Sequence, residues 1–261
     1  MPTDTRVVVN APAYRMDVFE NGQLVKSYKI GIGYPEFPLP QGLRKADTII
    51  FNPVWTPPDE PWVKGKFEPG KKVEAGSKDN PLGPIKIPIG LPSLIHGGKS
   101  PAKLGTFASH GCVGLTNPQV QDFSLLLAKL GGTPLTKEEV DAHAKKKTET
   151  KDLKLANAVP VELRYETIVV EDGKLHINVM AEIDEETGEM DPDSAQAHAC
   201  TVAEVEGDDE TGEVDGLSLQ CALASGDARP VRLRVDPGTG LRRARDGLRR
   251  PGGGRHAGNI F

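Results

Sequence analysis

The chemistry-bearing residues of this chain crowd into one stretch, "IHGGKSPAKLGTFASHGCVGLTN" (95–117), and above all into Ser109-His110-Gly111-Cys112. A thiol attacks a carbonyl only as its thiolate, so Cys112 needs a base or a positive neighbour to leave its ordinary range near about 8.5. Two imidazoles are at hand. His110 is two residues away, and His96 lies across a glycine-rich loop that can fold back. If Ser109–Leu115 is extended, His110 and Cys112 share one face. Gly111 and Gly114 bare the backbone around the thiol, so its N–H groups can approach a substrate carbonyl and hold a developing oxyanion. Each residue also has a plainer reading. A Cys in a strand is a small buried hydrophobe, a His is a satisfied polar group, and His96, His110 and Cys112 offer zinc three ligands at unusual spacing. On the residues alone, thiol catalysis, a structural thiol and a zinc site all remain open.

The elements around the motif have to position it. "RVVVN" and "RMDVFENGQLVKSYKIGIG" read as strands, the second a hairpin about Asn21-Gly22, a pair that favours positive φ at both central turn positions. Met16, Val18 and Leu24 alternate with polar neighbours, as expected of a strand with one wet face. Prolines are frequent from Pro35 to Pro61, which argues against long central strands there. Trp55 and Trp62 in that stretch read as core plugs or a groove wall in preference to ligand stackers. After the motif comes a helix, with Asn117 as its cap, Pro118 in the first turn and Gly131 as its stop. Its buried stripe is Val120, Phe123, Leu127 and Leu130. The motif thus precedes a helix N-terminus, whose partial positive charge favours anions. Thr136 and Glu139 make a capping-box pattern leading into "KEEVDAHAKKKTETKDLK", read as a solvated polar helix. Strands resume with "VPVELRYETIVV" and, after the turn "EDGK", "LHINVMAEI".

Composition narrows the function classes. The net charge of −5 gives no general pull toward nucleic acid or an anionic membrane, and no run of 18 apolar residues exists to span a bilayer. The opening "MPTDTRVVVNAP" has neither a basic leader nor an apolar segment of signal-peptide length. Cys112, Cys200 and Cys221 are too few for a disulfide framework. Cys200 and Cys221 could pair with each other, but reduced thiols in a loose tail are the favoured reading. Beyond Ile183, "EIDEETGEMD" and "EGDDETGEVD" are near-copies, acidic and without calcium-loop spacing, and read as solvated loops. From Arg229 the cations are all arginine and glycine is frequent, so disorder is expected there.

The stretch from His96 to Cys112 resembles the active-site signature of the L,D-transpeptidases, the YkuD-type catalytic domain: a His, about a dozen residues, then Ser/Thr-His-Gly-Cys. The resemblance runs outward through "VVVNAPAYRMDVFENGQLVKSYKIGIG", "NPVWTPP", "DNPLGPIKIPIG", "GLTNPQVQDFSLLLAKLGGTPL" and "VPVELRYETIVVEDGKLHINV". It implies a mainly β fold, a twisted β-sandwich with one principal α-helix after the Cys. The catalytic domain would span 5–184, with a polar helical insert at about 136–157. An acidic, then Arg/Gly-rich, largely disordered extension would fill 185–261.

The function implied is 3→3 cross-linking of peptidoglycan stem tetrapeptides, as donor and acceptor, through a thioester on Cys112. His96 is then the base, the Gly97 carbonyl orients its ring, and His110 tunes or positions. Gly111 and Cys112 supply oxyanion N–H groups, and Ser109 and Gly114 line the substrate pocket. Gly114 departs from the family pattern, which usually has Arg or Asn there, and this leaves donor preference open. No cofactor or metal is implied. The partners are the stem peptides, with no nucleic acid, no transmembrane segment and a monomeric enzyme. The working place is the periplasm or cell wall, although no export signal is present in the sequence, and a carbapenem should acylate Cys112. The alternatives are an L,D-carboxypeptidase, a lipoprotein-anchoring enzyme with the same nucleophile, or a non-catalytic wall-binding module.

Overall fold

The computed structural model describes residues 2–171, 174–179, 198–207, 214–222, 228–236 and 240–243. They fall into two compact units, Met1–Tyr165 and Glu166–Phe261.

The first unit opens with β1 (Arg6–Asn10), β2 (Arg15–Glu20) and β3 (Gln23–Lys29). Asn21 and Gly22, at φ 52° and 79°, make the two-residue turn between β2 and β3 that this dipeptide specifies. A register shift follows at Val18/Phe19, so the alternation set by Met16 and Val18 does not carry through to Leu24. Leu24 lies exposed on β3 instead of facing the core, because an extra residue on one strand turns its later side chains to the other face. Asp17 is buried opposite that expectation too, held by Arg15 Nε at 2.8 Å and Ser27 Oγ at 2.6 Å.

The next elements are β4 (Ile32–Gly33), β5 (Gly42–Phe51), β6 (Ile85–Pro88) and β7 (Leu94–His96). A 3-10 turn at Pro101–Lys103 leads to β8 (Phe107–Ser109) and β9 (Val113–Gly114). β5 corrects the reading of Pro35–Pro61: it is ten residues long and sits between two other strands. Pro40 and Pro53 flank it, so no proline lies within the strand itself.

α1 (Asn117–Leu130) and α2 (Lys137–Lys145) follow, and β10 (Lys151–Arg164) closes the unit. Its main sheet has the order β3-β2-β1-β10-β5-β6-β7-β9, with parallel pairs at β1/β10 and β7/β9, and β4 pairs with β8 beside it. The architecture is mainly β, a curled sheet with two α-helices among the described residues. Val120, Phe123 and Leu127 of α1 are buried with Ile49, Ile87, Ile95 and Val113 of the sheet, which fixes the helix that follows the motif; Leu130 is only half-buried.

Residues 136–157 are not wholly a solvated helix. α2 stops at Lys145, and Lys151–Lys154 already pair with β5. The excursion is also docked. Asn52, buried and at φ 45°, donates from Nδ2 to the carbonyls of His143, Lys146 and Glu149 at 2.9, 2.9 and 3.1 Å. The His143 ring stacks on Phe51 at 4.4 Å, and Val140 is buried.

The second unit is a six-stranded antiparallel meander: β11 (Ile168–Glu171), β12 (Lys174–Val179), β13 (His198–Gly207), β14 (Val214–Ala222), β15 (Ala228–Asp236) and β16 (Gly240–Arg243). The hairpin assigned to the catalytic domain thus pairs onward with β13, and four segments after residue 185 are strands. The turn "EDGK" at Asp172-Gly173, the acidic repeat at 182–191, most of its copy at 206–215 and the arginine-rich end from 244 lie outside the described residues. No helix among the described residues is long and apolar enough to cross a membrane.

Candidate active site

The motif occupies the ends of three short strands. β7 runs parallel to β9 with Ile95 opposite Val113 and His96 opposite Gly114, so the sheet itself brings the two halves of the motif together. Cys112 sits in the bend between β8 and β9 and keeps part of its surface accessible.

That bend corrects the extended reading of Ser109–Leu115. Gly111 has φ 88°, a left-handed conformation that a side chain disfavours, so the chain turns between His110 and Cys112 and strand alternation does not apply. Ser109 holds the turn. Its buried hydroxyl donates to the Cys112 carbonyl at 2.5 Å and accepts from the Cys112 N–H at 3.1 Å. The sequence expectation placed Ser109 against substrate; its observed contacts are to the nucleophile's own backbone.

His96 is 3% exposed. Its Nδ1 lies 2.7 Å from the Gly97 carbonyl. A carbonyl only accepts, so Nδ1 carries the proton and Nε2 keeps its lone pair. Burial pushes this imidazole from 6.5 down to about 3; the charge of Lys99 adds to the depression, and the carbonyls of Gly97 and Leu82 oppose it. Burial therefore favours the neutral form of the ring. Burial likewise raises the Cys112 thiol, against a hydrogen bond at the Leu94 backbone and the charge of Lys99, which lower it.

Side chains packed directly on the backbone fix the loop after His96. A Cβ at Gly97 would meet Val120 Cγ1 at 2.9 Å and Asn117 Oδ1 at 3.0 Å. Asn117 is not the helix cap. Thr116 is, in a capping box with Gln119, while Asn117 Oδ1 accepts from Gly98 N–H at 2.8 Å and ties the start of α1 to the loop after His96. The Thr116-x-x-Gln119 pattern was the signal in the sequence for this cap.

His110 stands apart from His96 in setting. Its exposed ring is stacked on Trp62, 3.8 Å between centroids and 11° between planes, with Tyr34 and Phe37 at 5.2 and 5.0 Å. Trp55 backs Trp62 with 6.5 Å between centroids, Phe67 stands edge-on to Trp55 at 4.9 Å, and both tryptophans are half-buried, so neither is a core plug. Sequence reasoning gave these aromatics no link to His110. Gly114 is buried with the Lys99 side chain packed against it, a contact likewise unforeseen. Among the described residues, no three His, Cys, Asp or Glu gather as a metal site.

Cys112 thus sits, partly accessible, on a glycine turn just before the strand that pairs with the one carrying the buried His96. The sequence model of the L,D-transpeptidase catalytic domain, YkuD, matches residues 4–135, half of the chain. The chain belongs to this family. Similar solved structures include the catalytic domain of an E. faecium L,D-transpeptidase, at 15% identity, covering 62% of this chain and 98% of that one with a TM-score of 0.39. An L,D-transpeptidase from Mycobacterium smegmatis has 16% identity, 62% and 58% coverage and a TM-score of 0.36. L,D-transpeptidase 3 from Mycobacterium tuberculosis, in complex with a faropenem-derived adduct, has 15% identity, 60% and 59% coverage and a TM-score of 0.33. The chain spans less than two thirds of the length of the last two. No curated protein sequence matches it.

Proposed function

We propose that this chain is a cysteine L,D-transpeptidase that forms 3→3 cross-links between peptidoglycan stem peptides outside the cytoplasmic membrane. The observation that carries the reading is the placing of His96: buried, with Nδ1 2.7 Å from the Gly97 carbonyl, on the strand paired with the one that follows Cys112. With Nδ1 so held, Nε2 is the nitrogen that takes a proton, the orientation a general base requires.

The steps follow from that assignment. Cys112 Sγ attacks the carbonyl of the third stem residue, and His96 Nε2 takes the thiol proton as the S–C bond forms. The oxyanion of the tetrahedral intermediate is met by the Gly111 N–H and by the Cys112 N–H, which swings from Ser109 Oγ toward it. His96 returns the proton to the departing nitrogen, the terminal D-residue leaves, and a thioester remains on Cys112. A side-chain amine of a second stem attacks the thioester, gives up its proton to His96 and releases the thiol. His110, with Trp62, Tyr34 and Phe37 around it, lines the approach and positions the donor. Residues 5–184 as the catalytic domain and a monomeric enzyme belong to the same proposal.

The test is a tetrapeptide muropeptide mixed with excess acceptor stem, with intact-protein and product masses recorded and Cys112→Ala alongside. A thioester adduct lacking the terminal D-residue, followed by dimers, is the expected result. Tripeptide without dimers reassigns the acceptor to water and the enzyme to an L,D-carboxypeptidase. Folded protein giving neither adduct nor product overturns the catalytic reading in favour of a wall-binding module.

A further inference from the structure

Gly114 lacks the positive φ of Gly111, and the Lys99 side chain occupies the space that a side chain at 114 would take. A Cβ there would lie 2.7 Å from Lys99 Cε, 2.8 Å from Cγ and 3.2 Å from Cδ. The volume of a side chain at 114 is filled by the stem of Lys99. Lys99 starts three residues after His96, its N–H donating to the Leu115 carbonyl at 3.1 Å. It then passes over Gly114, and Nζ donates to the Ala108 carbonyl at 2.6 Å. One side chain therefore spans the segments that carry His96, Gly114 and Ser109.

This ammonium is half-buried and has an unusual set of neighbours. The ionisable groups that face it among the described residues are Cys112, Lys103, His96 and His110; no carboxylate is among them. Of these, only a Cys112 thiolate favours its charge. The same holds in reverse. A thiolate in a partly dry site is costly without a countercharge, and His96 becomes cationic only once it has taken the thiol proton.

We propose that Lys99 is the positioning cation of this site: its stem holds the turn that presents Cys112, and its ammonium is the countercharge of the Cys112 thiolate. Lys99 keeps its protons throughout and forms no bond to substrate; the thiol proton still travels through His96. Burial lowers Lys99 from its ordinary value, so the support fades at alkaline pH as the ammonium is lost. The inference rests on the reading of Cys112 as nucleophile.

The experiment is iodoacetamide alkylation of the full chain against pH, with peptide mapping to separate Cys112 from Cys200 and Cys221. In Lys99→Met, which keeps the stem length and drops the charge, the midpoint for Cys112 is expected to rise by about one pH unit, with alkylation near pH 7 slowed about tenfold. Lys99→Arg should bring the midpoint back toward wild type. A purely structural role would lower the melting temperature and leave the midpoint where it was, so an unmoved midpoint in folded Lys99→Met overturns the proposal. Should Lys99→Met fail to fold, Gly114→Ala decides, because its methyl group displaces the stem while the lysine remains: a raised midpoint supports the role and an unchanged one ends it. Wild-type Cys112 that resists alkylation between about pH 5 and about pH 10 sinks the nucleophile reading, and this inference with it. Normal wild-type alkylation with no response to Lys99→Met sinks only the inference.

Discussion

Cys112 is presented by a turn that requires glycine at 111, and its own side chain packs little of the core. Cys112→Ala is accordingly expected to abolish turnover while leaving the melting temperature unchanged, and equal activity in the two proteins would refute the mechanism. His96→Ala should cost roughly 10²–10⁴-fold in kcat/KM, the range for a lost general base, and His110→Ala less, since its ring acts on substrate position. His96 also gives stability a pH signature. Its imidazole titrates at 6.5 when unfolded and at about 3 in the fold, so between those values the unfolded chain binds the extra proton. That contribution is complete above 6.5 and is lost as the pH falls, by at most about 1.4 kcal/mol per pH unit. His110, also lowered by burial, acts in the same direction. Asp4 and Glu162, which Arg6 and Arg164 hold below the carboxylate range, lose their contributions only at more acid pH. Urea midpoints between pH 6.5 and about 5 should thus fall more gently in His96→Gln than in wild type. At this scale the proposed nucleophile, both histidines and the Gly97 carbonyl could be picked out as candidates, because they are local in sequence. The relation of Lys99 to Gly114 was not, since it is a matter of shared volume.

The elements around the site are held by backbone packed against backbone. A Cβ at Gly33 on β4 would run into the Phe37 carbonyl and lie 3.0 Å from the Gly111 N. Gly33→Ala is therefore expected to displace the nucleophile turn: kcat should fall at least about tenfold with the circular dichroism of the sheet retained, and unaltered kcat would show that the loop yields freely. At the start of α1, Thr116→Ala should cost about 1 kcal/mol of stability in urea unfolding, the usual loss for a capping hydroxyl. Turns and caps were the readable part of the architecture, as at Asn21-Gly22 and Thr136/Glu139, because they depend on neighbours along the chain. Strand extents were harder to read. Proline frequency around β5 concealed a proline-free run between Pro40 and Pro53, and the polar beginning of β10 gave no sign that Lys151–Lys154 would find β5.

Every residue assigned to the chemistry lies in the unit Met1–Tyr165. A chain ending at Tyr165 is expected to keep the rate at which a carbapenem adds its mass to Cys112, and loss of that adduct would give Glu166–Phe261 a part in the site. The second unit was the least legible region. The antiparallel register of its described strands sets Cys200 opposite Cys221, while the acidic repeat at 182–191 and the arginine-rich end from 244, where disorder is expected, lie outside the described residues.

The stacking of Trp62 on His110 also gives the protein an optical readout. The chain has two tryptophans, Trp55 and Trp62, stacked on each other beside His110. Their emission therefore comes from the site with no background from elsewhere in the fold. A protonated imidazole quenches indole light more strongly than a neutral one, so His110 should write its titration into the spectrum. A donor or β-lactam entering the site should change the same signal, allowing acylation to be timed by stopped flow without a label.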